Sequence, residues 1–194
     1  LASQFDLSYD LHKVFFSVPA GELSRADPDF PLEAHGVLAV AELVGCTQTC
    51  LKWVAQYAKD RIQFGKPIGS YQAVKHTLAN NLMMLDNARV ASQYLAAAFD
   101  NAIACGWLED IEASQEAMTA LHVAKSYASD SARCVVEDSI QIHGSIAMSW
   151  ELKVHRMLRR VIRLAAYAGQ AQDHRFMLSR LLLSGSSRGI SGLA

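Results

Sequence analysis

From about Leu32 to Arg61, apolar residues recur mostly three or four apart, at Val37, Val40, Val44, Leu51, Val54 and Ala58, and then at Ile62. That spacing returns to one face of an α-helix at each turn. It predicts a helix of about eight turns, with Thr47 and Gln48 bridging the one longer step. A second helix is expected from Ser70 to about Ala104, with Val74, Leu78, Leu82, Leu85, Leu95 and Ala98 inward and Gly106 past its end. A third runs from about Leu108 to Ile142 and ends at Gly144. A fourth pattern starts near Ser149, passes through Val154, Leu158, Val161 and Leu164, breaks at Tyr167-Ala168-Gly169, and resumes from about Gln170 to Leu183. Long amphipathic helices joined by short connections imply an all-α, antiparallel up-and-down four-helix bundle. Loops then alternate between the two ends. The stretch after Arg61 shares one end with Gln141-Ile142-His143-Gly144-Ser145, and the region of His35 shares the other with the break at Ala168. At about 1.5 Å per residue, His35 and Arg61 are separated by roughly 39 Å. A site that uses both ends therefore has to be completed by a second chain.

The bundle accounts for residues 31–184. Residues 1–30 differ in character: Leu11-His12-Lys13-Val14-Phe15-Phe16-Ser17-Val18 is short, β-branched and aromatic, and bounded by Asp10 before and Pro19 and Gly21 after. It reads as a strand. A lone strand cannot satisfy its own ladder, so it is expected to pair with a sheet that the rest of the sequence lacks. Residues 185–194, in the Ser-Gly-rich end, read as a flexible tail. A formal net charge of −1 on 194 residues provides no whole-chain field for nucleic acid or an anionic membrane, and no uninterrupted run approaches the length of a spanning helix. No secretory leader is evident. The four cysteines, Cys46, Cys50, Cys105 and Cys134, fall in helical patterns without metal-type spacing. They read as reduced core residues, no metal site is expected, and a cytoplasmic protein, or a mitochondrial-matrix one in a eukaryote, would suit them.

Only Arg61-Ile62-Gln63-Phe64-Gly65-Lys66-Pro67-Ile68-Gly69-Ser70 reads as chemistry. Gly65 can take the left-handed conformation that ends a helix, Pro67 stops the helix resuming, and Ser70 can cap the next one, so a tight helix-helix corner is expected. It gathers Arg61, Gln63 and Lys66 beside a helix N-terminus, the donors that bind phosphate or pyrophosphate. The alternative is that Arg61 and Lys66 cap helix C-terminal carbonyls.

Arg61-x-Gln63-Phe64-Gly65-x-Pro67, followed at helical distance by Gln141-x-x-Gly144, resembles the C-terminal helical half of the acyl-CoA dehydrogenase family. The resemblance covers essentially the whole chain, since Asp6, the strand to Val18 and Pro19 resemble the end of that family's middle β-domain. It implies that Arg61, Gln63 and Phe64 hold the pyrophosphate side of an FAD belonging to a neighbouring subunit, with Gln141 and Gly144 as the second contact. Ser145 stands where the family often has a second glycine.

The resemblance also implies a departure. The family's general base is a glutamate that commonly precedes the glycine of the fourth-helix break, and here that position is Ala168. In other members it lies on the first helix, at the place of His35, and the arginine that usually follows is Gly36. Imidazole can serve as a base; a partly exposed helix-start residue is the plainer role for His35. His143 reads as a loop or cofactor-flanking residue. Lys153, Arg156, Arg159, Arg160 and Arg163 read as a solvated or interface face, and Met83-Met84-Leu85 as core. The resemblance thus implies part of an FAD-dependent acyl-CoA dehydrogenase acting on an acyl-CoA thioester. A homologous subunit, as in heterotetrameric members, would supply the glutamate. A flavin oxidase or monooxygenase of the same fold and a non-catalytic assembly module are the alternatives.

Overall fold

The computed structural model describes residues 30–150 and 152–183. The strand expected at Leu11 to Val18 and the tail expected after Ser184 lie outside these residues. Three long helices, α1 (Phe30–Asp60), α2 (Gln72–Ala104) and α3 (Ile111–His143), are followed by two shorter ones, α4 (Val154–Ala166) and α5 (Ala171–Leu183). The fourth pattern is thus a broken helix, and the bundle is all-α apart from one small hairpin.

The axis of the bundle is α3, which packs against each of the other four helices. Its inward stripe is small, with Ala113, Ala117, Ala120, Ala124, Ala128 and Ala132 buried, so neighbouring backbones approach closely. The larger core side chains come from the partners: Val40 and Leu43 of α1, Leu95 and Phe99 of α2, Val161 and Leu164 of α4. Burial of each such side chain contributes about 1.5–3 kcal/mol before the ordering cost is subtracted. The ends of α3 are set by its sequence. The Asp110 carboxylate accepts from the Ala113 amide at 3.0 Å, satisfying an orphan donor of the first turn. At the other end Gly144 takes φ +68°, which costs a glycine nothing.

Several inward assignments shift. Leu82 is 51% exposed and Met83 58% exposed, whereas Leu85 is buried. The buried line of α2 runs Asn81, Leu85, Ala88, Leu95, Ala98, Phe99 and Ala102, and Leu82 lies about 100° round the helix from Asn81. The inward position of that turn thus holds a polar residue. Cys46 and Cys50 are buried as expected, but Cys105 is exposed and Cys134 half-buried. Cys105 is the C-cap of α2, where the helix leaves the core. From Glu33 to Asp60, α1 is long and apolar enough by length and composition to cross a membrane, which a count of uninterrupted apolar runs misses. Its apolar residues serve the bundle, with Val40, Leu43, Cys50 and Val54 fully buried.

Candidate functional site

The stretch after α1 is a hairpin, not a plain corner. α1 stops at Asp60, and β1 (Ile62–Gln63) pairs antiparallel with β2 (Lys66–Pro67) in the register Ile62 to Pro67 and Gln63 to Lys66. The two residues between them, Phe64 at φ +50° and Gly65 at φ +80°, have the two positive φ angles of a type I′ turn. Gly65 is left-handed as expected, in a turn rather than at a helix end. The hairpin is tied down by the Ile68 amide donating to Arg61 O at 2.8 Å and the Tyr71 hydroxyl donating to Gln63 O at 3.2 Å. A Cβ on Gly69 would lie 2.9 Å from the carbonyl oxygen of Ala58, so only glycine lets the chain pass so close to α1. Ser70 does not cap α2: its hydroxyl donates to Pro67 O at 2.7 Å, and α2 starts after Tyr71 without a side-chain cap.

The alternative role for the two cations is not what the geometry provides. The Lys66 ammonium lies 4.4 Å from the centroid of the Tyr71 ring. Among the described residues, neither it nor the Arg61 guanidinium bonds a helix carbonyl. Phe64 is 94% exposed. An aromatic residue held left-handed and presented to solvent breaks local preference twice, with no burial to offset it among the described residues.

A groove of about 470 Å³ runs beside the hairpin, lined by Gln63, Phe64, Ile68, Tyr71, Thr77 and Gln141 among others. The two motifs, some 80 positions apart in sequence, are thereby brought together at one end of the bundle. The volume falls in the range of small-molecule sites, about 300–1,000 Å³. Its lining is largely apolar and includes Gln63 and Gln141, and the Arg61 cation stands at the base of the hairpin, outside that lining. That combination suits an aromatic ring joined to a phosphate group, so the residues present fit a dinucleotide. Gly144 leaves open space where a Cβ would stand. His143, by contrast, is the last residue of α3 and buried, not a loop residue. Its ring stacks on Tyr57 with centroids 4.4 Å apart, and its Nδ1 donates to Ser139 O at 2.7 Å.

At the opposite end, exposed His35 meets Tyr167 edge-on, ring centroids 5.9 Å apart, as the topology predicts. Gly36 is buried against Leu121, whose Cδ1 would lie 3.0 Å from an added Cβ, so a long side chain does not fit there without Leu121 moving. Ala168 has φ +57° and Gly169 φ +98°. Beneath them is a group of residues the sequence reading missed. Lys125, fully buried, donates from Nζ to Ala165 O at 3.0 Å and Gly169 O at 3.1 Å. The Nδ1 atoms of buried His122 and His174 are 2.8 Å apart, and His174 Nε2 is 3.0 Å from Ala168 O. Burial draws the Lys125 ammonium down to about 8. Burial, and then the neighbouring His174, pushes His122 down to about 4. Lys125 falls on the inward stripe of α3 between Leu121, Ala124 and Ala128, a lysine among alanines, and that was the one clue available. The basic series of α4 also divides: Arg160 pairs with Glu42 of α1 in a half-buried ion pair, whereas Lys153 and Arg156 are exposed.

Known proteins resemble this chain throughout the bundle. Residues 32–183 match the family model described as "Acyl-CoA dehydrogenase, C-terminal domain". The acyl-CoA dehydrogenase IpdE2 of Mycolicibacterium smegmatis is 29% identical over 156 residues, 80% of this chain and 45% of that protein. FadE34 of Mycobacterium tuberculosis, also an acyl-CoA dehydrogenase, is 38% identical over 136 residues, 70% of this chain and 18% of that protein. Butyryl-CoA dehydrogenase from Megasphaera elsdenii superposes with a TM-score of 0.66 at 25% identity, over 79% of this chain and 37% of its own. The Tcur3481-Tcur3483 steroid ACAD gives 0.68 at 25%, over 82% and 42%. The chain spans less than half the length of these curated relatives. The match over nearly the whole described bundle makes this chain a member of the acyl-CoA dehydrogenase family, a family of oxidoreductase flavoproteins, and the described part is its C-terminal helical domain.

Proposed function

We propose that this chain is part of an FAD-dependent acyl-CoA dehydrogenase in which it binds the cofactor of a neighbouring subunit and does not supply the catalytic base. Bound flavin would accept the β-hydride of an acyl-CoA thioester; this chain's residues hold and orient the cofactor. Arg61 would meet the pyrophosphate, Phe64 would cover a ring or sugar face, and Gln63, Gln141 and the open backbone at Gly144 would line the approach. The observation that carries this reading is the outward display of Phe64 beside the groove and of Arg61 at the base of the hairpin, with the Phe64 backbone held left-handed and its ring unburied among the described residues.

The base is proposed to come from a homologous partner because the residue at the break is Ala168, which cannot carry a proton, and Gly36 lies against Leu121. Two relatives support a mixed assembly by their own composition: a steroid ACAD named for two components, Tcur3481-Tcur3483, and CarC, a subunit of a caffeyl-CoA reductase-Etf complex in Acetobacterium woodii, 31% identical. A bulky acyl group, such as a sterol side chain, is the proposed substrate class.

The test is flavin absorbance and acyl-CoA oxidation by the full-length protein, alone and co-expressed with a homologous subunit. FAD and turnover are expected only in the mixed assembly. Replacing the partner's glutamate should abolish turnover, since a general base contributes roughly 10²- to 10⁴-fold. His35→Ala should leave the rate within about twofold. A hundredfold loss with FAD still bound would make His35 the base and overturn the partner's role.

A further inference from the structure

The connection between α4 and α5 asks more of its surroundings than a loop usually does. Ala168 and Gly169 take positive φ in succession, and a positive φ at a non-glycine residue such as Ala168 persists only where neighbours hold it. The carbonyls of Ala165, Ala168 and Gly169 fall where helical pairing has stopped, so each needs a donor from elsewhere.

The donors to these three carbonyls are two buried side chains, one on α3 and one on α5. Lys125 reaches Ala165 O and Gly169 O, and its third bond goes to Ser129 Oγ at 3.3 Å. His174 reaches Ala168 O. A carbonyl can only accept, so His174 Nε2 carries the hydrogen, and in the neutral ring Nδ1 is then bare. His122 Nδ1, 2.8 Å away, must therefore donate to it. The order of donation runs one way, from His122 to His174 to Ala168.

We infer that Lys125, His122 and His174 are positioning residues for the connection 165–169, which they hold through a histidine relay that fails when both histidines are protonated. One proton is accommodated as an imidazolium–imidazole bond once His122 shifts to its Nε2–H tautomer, whereas protonating both rings sets two N–H groups against each other across 2.8 Å. Protonating His122 would add a second cation one helical turn from Lys125 in the same buried layer. α4, which packs on α3, carries His155, Arg159, Arg160 and Arg163, of which Arg160 pairs with Glu42 of α1. From α5 come His174 and Asp173, whose carboxylate already accepts from the Gln170 amide at 2.9 Å. The Asp130–Arg175 pair joins α3 to α5 at the surface at 2.6 Å. From α1, His35 meets the edge of the Tyr167 ring. Burial also pushes His174 down, and the Lys125 charge adds to that. The inference concerns the connection itself and holds whether or not this end faces an acyl thioester.

The experiment is amide hydrogen exchange of the full-length protein, in whatever assembly it forms, at pH 7.5 and pH 4, corrected for intrinsic rates. In the wild type, protection of the segment 167–174 is expected to fall about tenfold more than that of the α2 core around Leu95. His174→Gln can still donate to Ala168 O and accept from His122, but does not titrate. It should keep the protection at pH 7.5 and lose the extra fall. Lys125→Met should lose protection of the segment at both pH values. Nitrogen-15 spectra should find His174 as the neutral Nε2–H tautomer at pH 7.5. The inference is overturned if the wild-type segment tracks the core at both pH values, if His174→Gln shows the same extra fall, or if His174 carries its proton on Nδ1. Should Lys125→Met fail to fold, the glutamine variant and the tautomer still decide.

Discussion

Arg61 is the residue on which the flavin reading turns, because its guanidinium is exposed and bonds no helix carbonyl in the described bundle. A charge-assisted contact to phosphate contributes about 1.5–3 kcal/mol, so Arg61→Ala is expected to weaken FAD retention roughly 10- to 150-fold, measured by flavin release on dilution of the assembled protein. Arg61→Lys should recover only part, since an ammonium lacks the bidentate fork. Unchanged retention in the alanine variant would remove the residue from the site. The type of residue was legible in the sequence, where Arg61, Gln63 and Phe64 stand together. The capping alternative stayed open there because the direction of a long side chain at a helix end depends on what surrounds it.

Among the elements, the hairpin separates stability from function. Position 64 is the first of the two turn residues, and asparagine tolerates its left-handed angle far better than phenylalanine. Phe64→Asn should therefore stabilise the fold by about 0.5–1 kcal/mol, seen as a higher urea midpoint. If the ring covers part of a bound cofactor, the same substitution should weaken FAD retention severalfold. A variant that is more stable and retains FAD fully would mean that the ring has no ligand role. The hairpin was not legible in the sequence, because two-residue strands are too short to show a period of two; Phe64-Gly65 before Lys66-Pro67 read equally well as the end of a helix.

At the scale of the whole molecule, the buried histidines couple the bundle to pH. His122 is drawn down to about 4 from 6.5, first by burial and then by His174. The folded form thus prefers it neutral, and the unfolded chain takes the proton first. Its contribution is fully present above about pH 6.5 and is lost as pH falls toward 4. Urea midpoints of the wild type should drop over that range, and His122→Gln, which can still donate to His174, should flatten the drop; parallel curves would refute the assignment. The sequence alone determined the helices, since their 3.6-residue period and the glycines at 106, 144 and 169 are local properties written residue by residue. It also determined the antiparallel order, because short connections leave long helices no other path, and with it the pairing of the hairpin with Gln141 and of His35 with Tyr167. Tertiary structure decided which faces point inward, turning Asn81 rather than Leu82 to the core, since α1 and α3 together define where the interior lies. It alone assembled Lys125, His122 and His174. His174 lies some fifty positions from the α3 pair on another helix and leaves no periodic trace beside it, and a buried lysine is acceptable only where the end of α4 and the connection after it present carbonyls that accept its hydrogen bonds.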